Sequence, residues 1–188
     1  MLAYKAFQKG TVCRGYKFKK GWNITDNANC ARNGFHCCEN PLDCFRYYVA
    51  DEDINEYWLI EAAGDIHEDG SDTRIACTHM RLIRPLTLFE FIVEGIKYIR
   101  EHPYRDTDNK VNISEELDFR DDCKKYLIVR GKNPIVKGLI GHIIAIIKED
   151  EDKRDIKEAA VFEIDGKHFK GGTWYRLNGY SIEEVCDE

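Results

Sequence analysis

Short runs of alternating apolar and polar residues dominate the chain, and they predict strands. "LAYKAF" (2–7) and "CRGYKF" (13–18) are aromatic-rich and read as two strands joined by the turn "QKGT". "KKGWNITDNANCARN" is rich in Gly, Asn and Asp and reads as a loop. "GFHCC" (34–38) reads as a strand, with His36 and Cys38 on one face and Phe35 and Cys37 on the other. A helix start follows in "ENPLDCFRYY". Asn40 caps, Pro41 takes the first helical position, and Asp43 suits the positive helix end. Leu42, Phe45 and Val49 then share the inward face. "EYWLIEAAG" (56–64) and "RIACTHMRLI" (74–83) read as strands around the turn "DIHEDGSD".

After Pro85 the period lengthens. Phe89, Ile92, Val93, Ile96 and Ile99 recur at three-four spacing and predict a helix over 86–102, ended by Pro103. Residues 104–116 read as a polar connection. Beyond them, short β-rich runs alternate with polar turns, and the closing "AAVFEIDGKHFKGGTWYRLNGYSIEEV", with tight-turn signals at Asp165-Gly166 and Asn178-Gly179, predicts a small β meander. The whole pattern predicts an α+β fold. Residues 1–103 form a domain with a mixed or antiparallel sheet and two helices, and residues 104–188 form a β-rich lobe.

Composition narrows the class. In 188 residues, a hydrophobic fraction of 43% supports a core, and a net charge of −6 with 33% charged residues argues against disorder. No apolar run approaches the roughly 20 residues needed to cross a bilayer, and "MLAYKAFQKG" lacks the apolar segment of a signal peptide. A cytoplasmic chain without membrane contact is the expectation, and its eight cysteines then read as reduced thiols rather than disulfides. The charge is uneven. Residues 1–48 hold eight basic and three acidic residues, and the remainder holds 20 basic and 31 acidic. An acidic face can compete for a nucleic-acid-binding protein by presenting charge where phosphate would sit.

Candidate chemistry centres on residues 30–44. Cys30, His36 and Cys38 are the set that could hold zinc, joined by a distant Cys77 or His79, but the paired Cys-x-x-Cys spacing of structural zinc sites is absent. Cys38, near a helix start and a histidine, is a coherent nucleophile. No Walker loop or dinucleotide fingerprint occurs. Arg14, Lys17, Lys19 and Lys20 interleave with Tyr16, Phe18 and Trp22, as in a stacking surface for single strands, but strand alternation gives the same pattern and the net charge opposes direct nucleic-acid binding.

Several stretches resemble a domain common in uncharacterised phage and prophage proteins of gut bacteria: "AYKAFQKGTVCRGYKFKKGW", "ARNGFHCCENPLDCFRYY", "EAAGDI" and the tail "FEIDGKHFKGGTWYRLNGYSIEEV". That resemblance, the acidic second part and the lack of a complete catalytic constellation together point to a non-enzymatic accessory protein without a cofactor. Its partner would be a host protein, such as a nucleic-acid-binding effector of a CRISPR-Cas-type antiviral defence. The acidic residues Glu115, Glu116, Glu149, Asp150, Glu151 and Asp152 are the expected contacts. A remoter resemblance is to ADP-ribosyltransferase-like domains, through "CRG", then "GFH", then "PLDCFRYY". It implies an NAD-using enzyme in which Arg14 contacts the dinucleotide, His36 flanks the nicotinamide and Glu61 polarises the ribose hydroxyl.

Overall fold

A computed structural model describes residues 1–30, 32–68, 70, 72–107, 110–119, 125–150 and 155–185. The chain divides into two compact units, Met1–Gly95 and Ile96–Glu188. It is α+β in outline and mostly β in content. No helix among the described residues is long and apolar enough to cross a membrane.

The first unit holds β1 (Leu2–Gln8), β2 (Val12–Cys13), β3 (Tyr16–Lys17), β4 (Gly21–Ile24), β5 (Phe35–Cys38), a 3₁₀ helix (Pro41–Arg46), β6 (Asn55–Glu68) and β7 (Arg74–Leu86). Every pairing in its sheet is antiparallel. β6 pairs β1 along one edge and β7 along the other. β7 then pairs β5, and β5 returns to β1 through Tyr4 and Cys38. The strands β1, β6, β7 and β5 thus form a closed ring of pairings. Alternate positions fill one core: Ala3 and Phe7, Ile60 and Ala62, Ile75 and Cys77, Met80 and Leu82. Each large apolar side chain so buried contributes about 1.5–3 kcal/mol.

β6 bends inside this ring. Its register shifts between Ala63 and Ile66, and Gly64 takes φ +76° there. A Cβ on Gly64 would lie 2.0 Å from Thr78 Oγ1 and 2.2 Å from His79 Nδ1. The Thr78 hydroxyl accepts the freed Asp65 N–H at 2.9 Å. The bulge therefore needs glycine for its dihedral and for its space.

Several expectations are corrected. "CRGYKF" is not one strand, because Arg14 (φ 49°) and Gly15 (φ 80°) form a two-residue turn between Cys13 and Tyr16. "GWNI" in the expected loop is β4, paired with β7. "DIHE" extends β6 rather than turning. The Asn40 cap is present, with its side chain accepting from Leu42 N at 3.1 Å, but the helix it starts is 3₁₀ and ends at Arg46. Three residues per turn and an early stop leave Val49 60% exposed while Leu42 is fully buried.

The long helix, α1 (Leu88–Glu101), begins with a reciprocal cap: Glu90 N donates to Thr87 Oγ1 and Thr87 N to Glu90 Oε2. Its buried stripe is Leu88, Phe91, Ile92, Ile96 and Ile99. Phe89 and Val93, placed on that stripe by spacing alone, are only half-buried.

The second unit is built from two sheets, and the expected closing meander is divided between them. β8 (Asn112–Ile113), β10 (Tyr126–Gly131), β12 (Ile143–Glu149) and β13 (Ile156–Glu163) form one four-stranded sheet. β9 (Glu116–Asp118), β11 (Ile135–Lys137), β14 (Trp174–Asn178) and β15 (Ser181–Val185) form another. Parallel pairs occur in both: β10 with β12 and β8, and β11 with β9. Leu127, Val129, Ile144 and Ile146 of the first sheet meet Val136, Tyr175 and Leu177 of the second in one core. β12 is buried on both faces from Ile143 to Ile147, which explains its unbroken apolar run. Asn178-Gly179 does sit in a tight hairpin turn, joining β14 to β15. Asp165-Gly166 instead belongs to a wider loop, in which Asp165 Oδ1 accepts the N–H groups of Lys167, His168 and Phe169.

Candidate functional site

A cleft of about 1040 Å³ opens in the first unit. β1, the β2–β3 turn, residues 32–38, the end of the 3₁₀ helix and the start of β7 line it. Its cations are Lys5, Arg14, Arg32 and Arg74, its rings include Tyr16, Tyr47 and Tyr48, and its described lining contains no Asp or Glu.

The turn conformation places Arg14 at the cleft. Both turn residues have positive φ, as a two-residue hairpin of matching twist requires. Glycine adopts this readily at position 15, whereas arginine does so at a cost of about 1 kcal/mol or more.

Lys5 lies on the core-facing side of β1, between Ala3 and Phe7, and is 4% exposed. Its Nζ donates to the His36 main-chain oxygen at 2.6 Å and lies 3.7 Å from Cys13 Sγ. The rings of Phe7 and Phe18 flank it at 5.1 and 5.6 Å. Its partners are thus a carbonyl, a sulfur and two ring faces, with no ion pair to a described carboxylate. Cys13 also accepts from Tyr48 Oη at 3.0 Å. Burial and this hydrogen bond raise the Tyr48 pKa, so the phenol keeps its proton and donates.

Arg74 is held from behind. Its N–H donates to Asp72 Oδ1 at 2.8 Å, and its guanidinium lies over the Tyr47 ring at 5.3 Å. Tyr47 Oη donates to Asp72 Oδ2 at 2.7 Å. One residue earlier, Thr73 donates twice to buried Asp43, at 3.0 Å from N and 2.6 Å from Oγ1, and accepts from Asn40 N at 2.9 Å. This lock ties the 3₁₀ helix to the start of β7. His36 is half-buried among these cations, and its pKa is lowered by burial first, then by Lys5, Arg74 and Arg14. Burial and the surrounding cations thus favour the neutral His36 ring.

The expected residues separate. Arg14 and His36 share the cleft, whereas Glu61 does not line it. Glu61 sits in β6 and pairs with Arg81 at 2.5 Å. Cys30 donates to the Arg74 carbonyl at 3.6 Å. Cys38 is 2% exposed, and its hydrogen bond with Cys44 and its burial push its thiol pKa well up, which removes it as the nucleophile. Among the described residues, no group of three or more His, Cys, Asp or Glu is placed to hold a metal. In the interleaved stretch, Phe18 is a core residue and Trp22 stacks under Arg81, so alternation in strands accounts for the pattern.

The acidic residues are largely engaged within the chain. Glu115 accepts from the Lys132 and Asn133 N–H groups at 2.7 and 2.8 Å. Glu149 pairs with buried Arg130 at 2.5 Å, and Asp150 pairs with Lys157 at 3.0 Å. Glu116 is exposed in β9. Glu151 and Asp152 lie outside the described residues.

Sequence reasoning missed Lys5, Cys13, Tyr48 and Arg74. One signal was readable: Lys5 occupies an apolar-face position of a strand, where a charge needs a reason.

No curated protein and no solved structure matches the chain. Residues 1–94, which contain the whole cleft, match the family model described as Domain of unknown function (DUF7666). Through this half the chain belongs to the DUF7666 family.

Proposed function

We propose that the cleft binds an anionic, ring-bearing small molecule of the nucleotide class. One observation carries this: four cations and three tyrosines line a 1040 Å³ space without a carboxylate among the described lining. Phosphate oxygens pair with guanidinium groups, and a base stacks on a phenol ring. A cleft of this size fits a nucleotide or dinucleotide. Arg14 and His36 in one wall support NAD as the first candidate, and the position of Glu61 supports binding without the ribosyl transfer assigned to it. The phage-like resemblance stands beside this reading as a separate proposal, an accessory protein that binds a host protein.

The test is a thermal-shift and calorimetric panel on the full chain with NAD, ADP-ribose, nucleoside mono- and triphosphates and pyrophosphate. A bound ligand at about 100 times its Kd stabilises the fold by about 2.7 kcal/mol. Arg14→Ala and Arg74→Ala should each weaken binding about tenfold or more. No shift with any of these anions would overturn the proposal.

A further inference from the structure

We propose that Cys13 is the nucleophile of this cleft, a covalent modification site for electrophiles that carry a carboxylate or phosphate. The inference rests on the anion reading of the same cleft. Two donors, the Lys5 ammonium and the Tyr48 hydroxyl, face one sulfur. Charge-assisted donors stabilise negative charge where they point, and the thiolate is the attacking form of cysteine. Lys5 adds a second observation: a 4% exposed ammonium in the cleft lining, held by the His36 carbonyl beside the sulfur, with no ion pair to a described carboxylate. Phe7 and Phe18 flank it, and low-dielectric walls strengthen its attraction for an anion.

The other described cysteines are not equivalent. Cys37, Cys38, Cys44 and Cys77 are buried, and Cys30 is directed at the Arg74 carbonyl. Cys13 is half-exposed, and Arg14 follows it directly. An anionic electrophile would thus be held by the cations that surround the sulfur. In the step itself, the sulfur lone pair forms an S–C bond, the bond from that carbon to its leaving group breaks, the leaving group departs with the electron pair, and the thiol proton passes to solvent.

The test treats the full chain with iodoacetate or iodoacetamide at equal concentration and maps alkylated cysteines by peptide mass. The S–CH₂ bond forms as C–I breaks, iodide leaves and buffer takes the proton. Cys13 is expected to react before the other five described cysteines and at least about tenfold faster than free cysteine. Iodoacetate is expected to be favoured, the reverse of ordinary thiols. Lys5→Met and Tyr48→Phe should each slow the reaction, the second while keeping the ring in place. Arg14→Ala should remove the preference for iodoacetate. A Cys13 no faster than free cysteine, or an unchanged rate in folded Tyr48→Phe, overturns the proposal. A fast Cys13 indifferent to reagent charge upholds the nucleophile and overturns the anion reading, so the two fail separately.

Discussion

Lys5 and His36 are joined side chain to main chain: the Lys5 ammonium donates to the His36 carbonyl oxygen over 2.6 Å. The bond links the first strand of the ring to the fifth and holds a positive charge beneath the cleft. Replacing a buried charge by an apolar chain of similar volume is often close to neutral for stability. The expectation for Lys5→Met is therefore a loss of no more than about 2 kcal/mol in urea denaturation, since one carbonyl loses its donor. Nucleotide binding should fall far more steeply. Equal losses in both would make Lys5 a structural residue only.

His36 gives a pH prediction with a definite sign. Its folded pKa lies below its unfolded value, because burial and the neighbouring cations favour the neutral ring. The unfolded state therefore binds the extra proton first. The contribution of His36 is fully present above the unfolded pKa of about 6.5 and is lost as pH falls through and below it. His36→Gln should flatten the stability profile in that window. A bound anion offsets the cation field and raises the His36 pKa, so binding should tighten as pH drops. Denaturation series with and without ligand check both statements.

Glu149 separates a structural role from a docking role. Arg130 is 4% exposed and pairs with Glu149, while its Nη2 donates to the Pro103 carbonyl at 2.7 Å. Glu149→Ala takes the carboxylate from that buried guanidinium and should cost about 3–5 kcal/mol. Asp150→Ala breaks an exposed pair with Lys157 and should cost at most about 1 kcal/mol. Chemical denaturation of the two variants compares them directly. Similar small losses would return Glu149 to the surface.

Gly64 and Gly10 have nearly the same φ, +76° and +79°, but different surroundings. A Cβ on Gly10 meets nothing within 4 Å, whereas one on Gly64 strikes Thr78 and His79. Gly10→Ala should cost about 1 kcal/mol, the dihedral penalty alone. Gly64→Ala should cost clearly more. Matching urea midpoints for the two variants would refute the packing account of the bulge.

The strands and the cap were legible in the chain because each rests on neighbours in sequence. The alternation of β1, β5 and β7 and the Asn40-Pro41 start are local facts. The ring was not legible, since Tyr4 meets Cys38 only after both have paired elsewhere. Arg14-Gly15 was readable as a turn but was absorbed into an aromatic strand, since positive φ at arginine has no marker in composition. Ile92, Ile96 and Ile99 of the helix stripe were legible, but Phe89 stood in for Phe91, because the two are equally apolar and only packing chose between them. The site divides the same way. Arg14 and His36 lie in recognisable motifs. Cys13 gained its meaning from Lys5 and Tyr48, which approach it through the fold.

The closed ring also has an order of assembly. β6 and β7 are hairpin neighbours and can pair as soon as they exist. β1 has a local partner in β2 at Gln8 and Val12, but must wait for Cys38 and residues 55–61 before its pairings in the ring can form. At synthesis rates of about 5–20 residues per second, that leaves most of the first strand unpaired for roughly several seconds. Its exposed edge then carries Lys5, a charge that discourages pairing with a stray strand. The same ammonium that waits in the cleft thus protects the nascent chain before the cleft exists.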